Sequence, residues 1–490
     1  MKALMIYPNC PDTFWSFKHA LRFISKKAVH PPVGLLTVAS MLPAQWEKRL
    51  VDMNVSLLKD SSLEWADYVF ISAMAIHREA VKDVIKRAKS KGVKIVAGGP
   101  LFTTDYRVFK DVDHYILNEG EETIPMFLED LANGVPKRVY TSNVFPKLTK
   151  TPVPQWDLIN MKEYANMNIQ YSRGCPFNCE FCDITNLFGR EVRTKSKEQV
   201  VSELESLYVH GWKGQVFFVD DNFIASKTKL KRGVLPAITE WMKKRKYPFI
   251  LSTQASINLS DDDKLMEMMV EAGFNAVFIG IETPNEKSLV ECGKVHNQNR
   301  NMADCVKKIQ NAGLEVMAGF ILGFDNDLPP VFQKQIEFIQ NSGIVTAMVG
   351  LLNAPKNTRL YHRLEKEGRI LADTSGNNMD YSLNFIPKMN PTRLVEGYRS
   401  VLTNIYSIKP YYKRVITFLK AHKPKKKCFR FKMCHIKAFF QSIFVLGIRE
   451  KGRKQYWELL FWTLFRKPSA FPKAVTMAIY GFHFRKVLKI

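Results

Sequence analysis

Over the first 135 positions, short β-rich runs alternate with stretches whose apolar residues follow helical spacing. The runs are KALMIYP (2–8), RLVDMNV (49–55), DYVFISAM (67–74), VKIVAGG (93–99) and DHYILNE (113–119). Between them, PPVGLLTVASML puts proline at a helix start, and IHREAVKDVIKRAKSKG repeats apolar residues every three or four positions. Five strands joined by short helical connections predict a parallel, doubly wound sheet. Such a sheet binds ligands at the carboxyl ends of its strands, here near Ser72 to Met74, Gly98 to Pro100 and Asn118 to Glu121.

From Gly134 to Trp156 four prolines (136, 146, 152 and 154) interrupt any sustained period, and residues 136–164 are assigned to a linker. Over residues 165–355 a different rhythm appears. Four times a helical stretch ends in glycine and a β-rich run begins at once: HGWKGQVFFVD, EAGFNAVFIGIE, NAGLEVMAGFIL and NSGIVTAMVGLL. Gly211, Gly273, Gly313 and Gly343 sit where a helix end calls for the left-handed conformation. Ser196 with Gln199, and Ser260 with Asp263, read as helix starts. With NIQYS and FILSTQAS added there are six strand and helix units, a βα barrel short of the usual eight, with its chemistry expected at the strand C-termini.

Beyond residue 355 the pattern is helical and irregular. AFFQSIFVLGI and YWELLFWTLF are about half the length needed to span a bilayer. From Val401 to Ile490 there are 21 Lys plus Arg against Glu450 and Glu458, so this last fifth supplies 19 of the chain's 25 net positive charges. WELLFWTLFRK and the lysine run KPKKK mix aromatics with cations, which suits an anionic membrane surface or an acidic ligand, with a solvated helical tail as the alternative.

A chain of 490 residues is too long for one ordinary core and divides into domains. MKALMIYP runs into a polar turn at Asn9 and lacks the features of a secretory signal. The eight cysteines, at 10, 175, 179, 182, 292, 305, 428 and 434, form no disulfide framework. A reducing cytoplasmic compartment is expected.

RGCPFNCEFCD, which follows the first barrel strand, places Cys175, Cys179 and Cys182 on a loop at the catalytic end. Three thiolates are one short of a closed structural zinc site, and no nearby histidine has the spacing to complete it. They suit a 4Fe-4S cluster that keeps one iron open to an external ligand.

CxxxCxxC on this loop of a six-unit barrel, with Phe181 before the last cysteine, resembles the radical S-adenosylmethionine enzymes. The resemblance implies that the three cysteines hold the cluster and that its open iron chelates S-adenosylmethionine. It also implies contacts to that cofactor from FFVDDNF, STQAS and VFIGIET: Asp221, Gln254 and Glu282, with Asp220 and Asn222 as neighbours. The first 135 residues resemble the cobalamin-binding domain of the cobalamin-dependent subclass, through AGGPLFT and LNEGEET, and lack the GxGxxG of a dinucleotide domain. Ser72, Met74, Gly98, Gly99, Pro100, Asn118, Glu119 and Gly120 would face the corrin, with the glycines allowing close backbone approach. No DxHxxG occurs, so cobalt without a protein histidine is expected, and His19, His30, His77 and His114 read as surface or packing residues.

PDTFWSFKHALRFISKKAVHPPVGLLTVASMLP (11–43) is similar to the opening of a subgroup containing hopanoid C-2 methylases, which also carry a helical C-terminal extension. Bacteriochlorophyll side-chain methylases belong to the same wider class. This implies methyl transfer from methylcobalamin to an unactivated carbon of a polycyclic lipid or a tetrapyrrole. An electron donor such as ferredoxin or flavodoxin is implied as well, with no nucleic-acid partner. A cobalamin radical enzyme that rearranges or cyclises without methylating is the alternative within enzymes, and a cobalamin-binding sensor the alternative outside them. A methylthiotransferase would need a second cysteine set in the N-terminal domain, where only Cys10 occurs.

Overall fold

The computed structural model describes residues 1–423 and 433–490. The lysine run at 423–427 falls almost wholly outside the described residues, as does Cys428; of Cys434 only the backbone is described. The first sheet has six parallel strands: β1 (Lys2–Tyr7), β2 (Glu47–Asp52), β3 (Tyr68–Ser72), β4 (Lys94–Gly98), β5 (His114–Ile116) and β6 (Val139–Tyr140). Their order is β2-β1-β3-β4-β5-β6. Alternate residues of β1 enter two separate cores, Leu4 and Ile6 on one face, Ala3 and Met5 on the other. Both faces are therefore covered by the chain's own helices, and the strands read as continuous apolar runs.

The second sheet is also parallel and six-stranded. It comprises β7 (Asn166–Ile169), β10 (Gln215–Phe218), β11 (Ile250–Gln254), β12 (Phe274–Glu282), β13 (Glu315–Leu322) and β14 (Ala347–Leu351), neighbours in that order. A two-residue ribbon, β8 (Ser172–Arg173) with β9 (Arg193–Thr194), follows β7. Gly211, Gly273, Gly313 and Gly343 all have positive φ, as the helix-ending role requires. Ser196 and Gln199 form a capping box. Ser260 does not cap the next helix: Asp262 accepts from the Leu265 amide at 3.0 Å, while the Ser260 hydroxyl turns back to the Ile257 carbonyl. A carboxylate two residues nearer the helix wins the amide.

Two stretches cross the expected divisions. The proline-rich linker supplies β6, which pairs with β5. Residues 13–30, which lie between β1 and the helix Val33–Met41, serve the barrel instead of the first sheet. Phe14, Phe23 and Ala28 enter the barrel's core. Ala28 bridges to Tyr164, and the Asn166 amide donates to the Val29 carbonyl, so this strap covers the open edge of β7.

The C-terminal region covers the other edge. Tyr406, from the helix Pro391–Tyr406, donates its hydroxyl to the Ala347 carbonyl at 2.7 Å and accepts from the Ala347 amide at 3.2 Å. Tyr398 donates to the Val349 carbonyl at 3.2 Å. These hydroxyls satisfy an edge strand that a seventh barrel strand would otherwise pair. The final helix, Phe471–Leu488, closes the lower end: Lys473 pairs with Glu315, and Phe484 stacks on Phe14 with centroids 4.3 Å apart.

Candidate active site

The cysteine loop begins at Gly174, whose φ of 90° and closeness to the Glu191 carbonyl, 2.5 Å from any added Cβ, leave room for glycine alone. Phe177 stacks on His296 with centroids 3.7 Å apart. The Glu180 amide donates to the Cys292 carbonyl at 2.9 Å, and its carboxylate accepts from Arg363 at 2.7 Å. The loop is thus held on both sides before any metal binds. Cys175, Cys179 and Cys182 are half-buried free thiols. Burial pushes all three up, Cys182 to about 12, and Lys294 is the cation that opposes this in each case. Thiols in such a place ionise when a metal takes them and stay neutral otherwise, which fits a cluster site. Among the described residues no three His, Cys, Asp or Glu side chains converge on one ion position. A cubane asks each cysteine for a different iron, so it needs no such convergence.

Asp220, Asp221 and Asn222 follow β10 and take separate roles. Asp220 is fully buried and accepts from the Tyr171 amide, the Ser172 amide and the Ser172 hydroxyl, anchoring the chain that leads into the cysteine loop. Burial raises its carboxyl to about 7 despite these donors. Asn222 is tied to the Ser256 amide and hydroxyl. Asp221 accepts from the amide of Gly174, the residue before Cys175, at 3.2 Å. The Gln254 side chain, at the end of β11, has no hydrogen-bond partner among the described residues.

Glu282 ends β12 at a register shift, with φ of 65°. Its carboxylate folds back to Lys294 at 2.5 Å. Gly280 permits this, since an added Cβ would come within 2.2 Å of Glu282 Oε1 and 2.7 Å of Lys294 Nζ. Burial opposes the Lys294 charge, but Glu282, with a smaller share from Cys179, holds the ammonium above its ordinary value. Lys294 also lies over the Phe181 ring at 6.0 Å. Nothing in the sequence pattern points to this buried cation between the cysteines and Glu282.

The residues expected on the corrin face gather at the carboxyl edge of the first sheet, yet several are already engaged. At Gly99, with φ of 88°, a Cβ would meet the Ser72 hydroxyl at 2.7 Å; at Gly98 one would meet the Ile116 carbonyl at 2.8 Å. Both glycines therefore let neighbouring strands and loops close together, in addition to leaving the edge bare. Pro100 opens the helix Pro100–Asp105, and Gly120 opens Gly120–Ala132. Asn118, with φ of 61°, donates to the Ser142 carbonyl at 2.7 Å. Met74 is exposed. His77, behind it, has both ring nitrogens occupied, Nδ1 accepting from the Met74 amide and Nε2 2.8 Å from the Cys10 sulfur.

Glu119 departs most from the expected corrin contact. Its buried carboxylate binds Arg173 and Arg193, each at 2.6 Å, and Arg173 also makes two contacts to Glu121 at 2.8 and 3.0 Å. Burial alone would raise the Glu121 carboxyl, but the Arg173 guanidinium and the Thr151 hydroxyl hold it below its ordinary value. Arg173 stands two residues before Cys175. One buried ion-pair group thereby ties the carboxyl edge of the first sheet to the base of the cysteine loop.

Inside the barrel, Phe217, Phe278, Met317, Ile321 and Met348 are half-buried, while the alternating Val216, Val277, Val316 and Phe320 are sealed against the outer helices. Trp15, from the strap, donates its indole N–H to the Met348 sulfur at 2.9 Å and meets Phe278 edge-on at 5.3 Å. Gly280 and Gly319 pair in register on β12 and β13, and the room they leave is taken by Glu282 with Lys294 at the first and by the Phe278 ring at the second. Asn168 Oδ1 and His30 Nδ1, both beside Phe217, make no hydrogen bond of ordinary geometry among the described residues, although the two side chains lie within reach of each other. This is an apolar chamber with sparse polar groups, as small-molecule sites require.

A parallel sheet with a bare carboxyl edge, clamped to a partial barrel that carries three cysteines on its first loop, defines a cobalamin-binding radical S-adenosylmethionine protein. Comparison with known proteins agrees: residues 22–128 match the B12 binding domain, 169–339 the Radical SAM superfamily, and 358–490 a domain of unknown function. An uncharacterized methyltransferase of Synechocystis is 39% identical, the match covering 100% of this chain and 92% of that one. The hopanoid C-2 methylase of Rhodopseudomonas palustris is 34% identical over 78% of this chain and 73% of its own. The cobalamin-dependent radical enzyme OxsB, solved with aqua-cobalamin and S-adenosylmethionine, shares the fold with a TM-score of 0.65 at 14% identity, over 100% of this chain and 80% of its own. The chain belongs to the cobalamin-dependent radical S-adenosylmethionine methyltransferases. Their cofactors are cobalamin, S-adenosylmethionine and a 4Fe-4S cluster.

Proposed function

We propose that this enzyme replaces a hydrogen on an unactivated carbon of a hopanoid-like polycyclic lipid or a tetrapyrrole with a methyl group. When bound, the cluster, S-adenosylmethionine and cobalamin supply removal of the substrate hydrogen and the methyl group that takes its place. Cys175, Cys179 and Cys182 hold the cluster, with Phe181 packed beside it. Asp221, Gln254 and Glu282 contact S-adenosylmethionine, while Asp220 and Asn222 keep the neighbouring loops in place. Ser72, Met74, Gly98 to Pro100 and Asn118 to Gly120 form the edge that receives cobalamin, with Glu119 acting through Arg173 and Arg193. Trp15, Phe278 and Met348 exclude water and orient the flat substrate.

The observation that carries this reading is the clamp of Glu119 and Glu121 on Arg173, which fixes the cobalamin edge against the cysteine loop. A lipid or tetrapyrrole substrate is supported by relatives named hopanoid C-2 methylase and, at 23% identity, bacteriochlorophyllide d C-8(2)-methyltransferase of Chlorobaculum tepidum. The reading includes a ferredoxin- or flavodoxin-type electron donor, a cytoplasmic setting and peripheral contact with an anionic membrane. No helix among the described residues is long and apolar enough to cross one. Deleting the gene and comparing lipid and pigment mass spectra tests the proposal. One product is expected to lose about 14 mass units, the methylene difference between hydrogen and methyl. Unchanged lipid and pigment spectra in an expressing strain would overturn it.

A further inference from the structure

The helix Met433–Ser442 runs on into the wider turns of Ile443–Arg449. Its inner side is small and buried, with Ala438, Ser442, Leu446 and Gly447 against the core. A surface helix ordinarily turns polar residues outward. This one instead exposes Met433, Ile436, Phe440, Phe444 and Ile448, at intervals of three or four residues. The next helix, Arg453–Arg466, repeats the inversion: Phe461, Leu464 and Phe465 are exposed, and Trp457, Phe461 and Phe465 stack at one-turn intervals. Trp457 donates to the Gly447 carbonyl at 3.0 Å, so the two stripes join into one surface. Four of the five exposed phenylalanines among the described residues lie on it. Scattered exposure of single hydrophobics needs no cause, but such a concentration does.

The rim is predominantly cationic. Lys437, Arg449, Lys451, Arg453, Lys454 and Arg466 are exposed around the patch, and the Arg449 guanidinium lies over the Phe444 ring at 4.1 Å. Glu450 and Glu458 are the acids within residues 433–467. In sequence, residues 424–432 lead into the first stripe with five further cations and no acid. Long cationic side chains set around an apolar face reach headgroups while their stems stay in the interface. A uniformly anionic plane is the partner this pattern complements, because a folded protein partner presents charges of both signs.

We propose that the outer face of residues 433–466 docks in the plane of an anionic lipid bilayer, with Phe440, Phe444, Phe461 and Phe465 at the acyl boundary and the basic rim among the headgroups. This rests on the membrane-contact part of the reading above and on no assumption about the methylated carbon. Part of the domain of unknown function thereby acquires a role, holding the barrel at the surface where an apolar substrate resides.

The test is flotation of the full-length protein with vesicles of phosphatidylcholine alone or with about 30% phosphatidylglycerol. The protein is expected to float with the anionic vesicles, and at least about tenfold less with neutral ones or at about 0.5 M salt. The double variant Phe440→Ser, Phe465→Ser should float about tenfold less while keeping the wild-type melting temperature and cofactor content, since both side chains point away from the core. Three results overturn the proposal: wild type that stays with the soluble fraction, a double variant that floats equally, or a wild-type dimer that the double variant converts to monomer, which would make a second copy the occupant. Flotation reads no methyl transfer, so it fails or succeeds independently of the catalytic reading.

Discussion

Two sheets of six parallel strands stand side by side in this chain, and they hold ligands in different ways. In the first, alternate residues of every central strand enter cores on opposite faces, so the protein fills both faces itself and leaves only the carboxyl edge free. In the second, one face is sealed by helices and the other keeps Phe217, Phe278, Met317 and Met348 half-buried around a hollow. The difference lies in closure. An open sheet offers an edge, suited to a large planar cofactor lying against loops, whereas a curled one offers an interior, suited to an apolar substrate that must be kept from water. Two devices adapt the pair to one reaction: the clamp at Arg173 that joins edge to mouth, and the strap at residues 13–30 that completes the barrel.

The strongest break in this comparison is at the cysteines. Replacing Cys175, Cys179 or Cys182 with alanine should abolish methyl transfer and reduce iron to under about a tenth of wild type, while cobalamin stays near one per chain on the untouched first sheet. Metal analysis and absorbance would show it, and a variant that kept its iron would end the assignment. Next comes the clamp. Arg173→Gln leaves Glu121 buried without its cation, with Glu119 still held by Arg193, which should cost about 3–5 kcal/mol in denaturant unfolding. Turnover should fall about a hundredfold although both cofactors still load, because misplacing them by an ångström is enough. Arg173→Lys should recover little, since the fork that grips two carboxylates is lost. If Arg173→Gln turned over normally, the two sheets would not need to be locked together.

A smaller effect is expected within the barrel. At Gly319 a Cβ would already stand 3.0 Å from the Phe278 ring, so Gly319→Val narrows the chamber. KM should rise about ten- to a hundredfold with iron and cobalamin unchanged, as expected when a pocket loses room for its ligand. An unaltered KM would place the substrate elsewhere.

What the pattern reveals and what it hides separates along the same line. All eleven expected strands form, because each is a local run and four of the six barrel strand starts are marked by glycines that end the preceding helices. The cysteine loop is equally legible, since its three thiols lie within eight residues. The partners that give the site its electrostatics are distant in sequence. Arg173 meets Glu119 across 54 residues and Trp15 meets Met348 across 333, and no periodicity encodes such a meeting. Glu119 reads as a cofactor contact because it sits on the correct edge; its engagement by two arginines depends on how a second domain docks. Lys294 escapes notice for a related reason, its role arising only where the register shift of β12 turns Glu282 back toward it.

The smallest predicted change concerns how six strands can stand where eight are usual. The edge of β14 would leave the Ala347 amide and carbonyl unpaired in a buried setting, and the Tyr406 hydroxyl answers both, accepting from one and donating to the other. One phenol oxygen thus replaces a residue on a seventh strand. Tyr406→Phe keeps the ring and its packing against Tyr411 and Phe484 and removes only that oxygen. The loss should be about 1–3 kcal/mol in unfolding free energy, the cost of stranding buried backbone polar groups. Cobalamin binding should not change, since the first sheet shares none of these contacts. A change below about 0.5 kcal/mol would mean that water can take the hydroxyl's place, and the edge would then be closed by the bulk of the C-terminal helices and not by their hydrogen bonds.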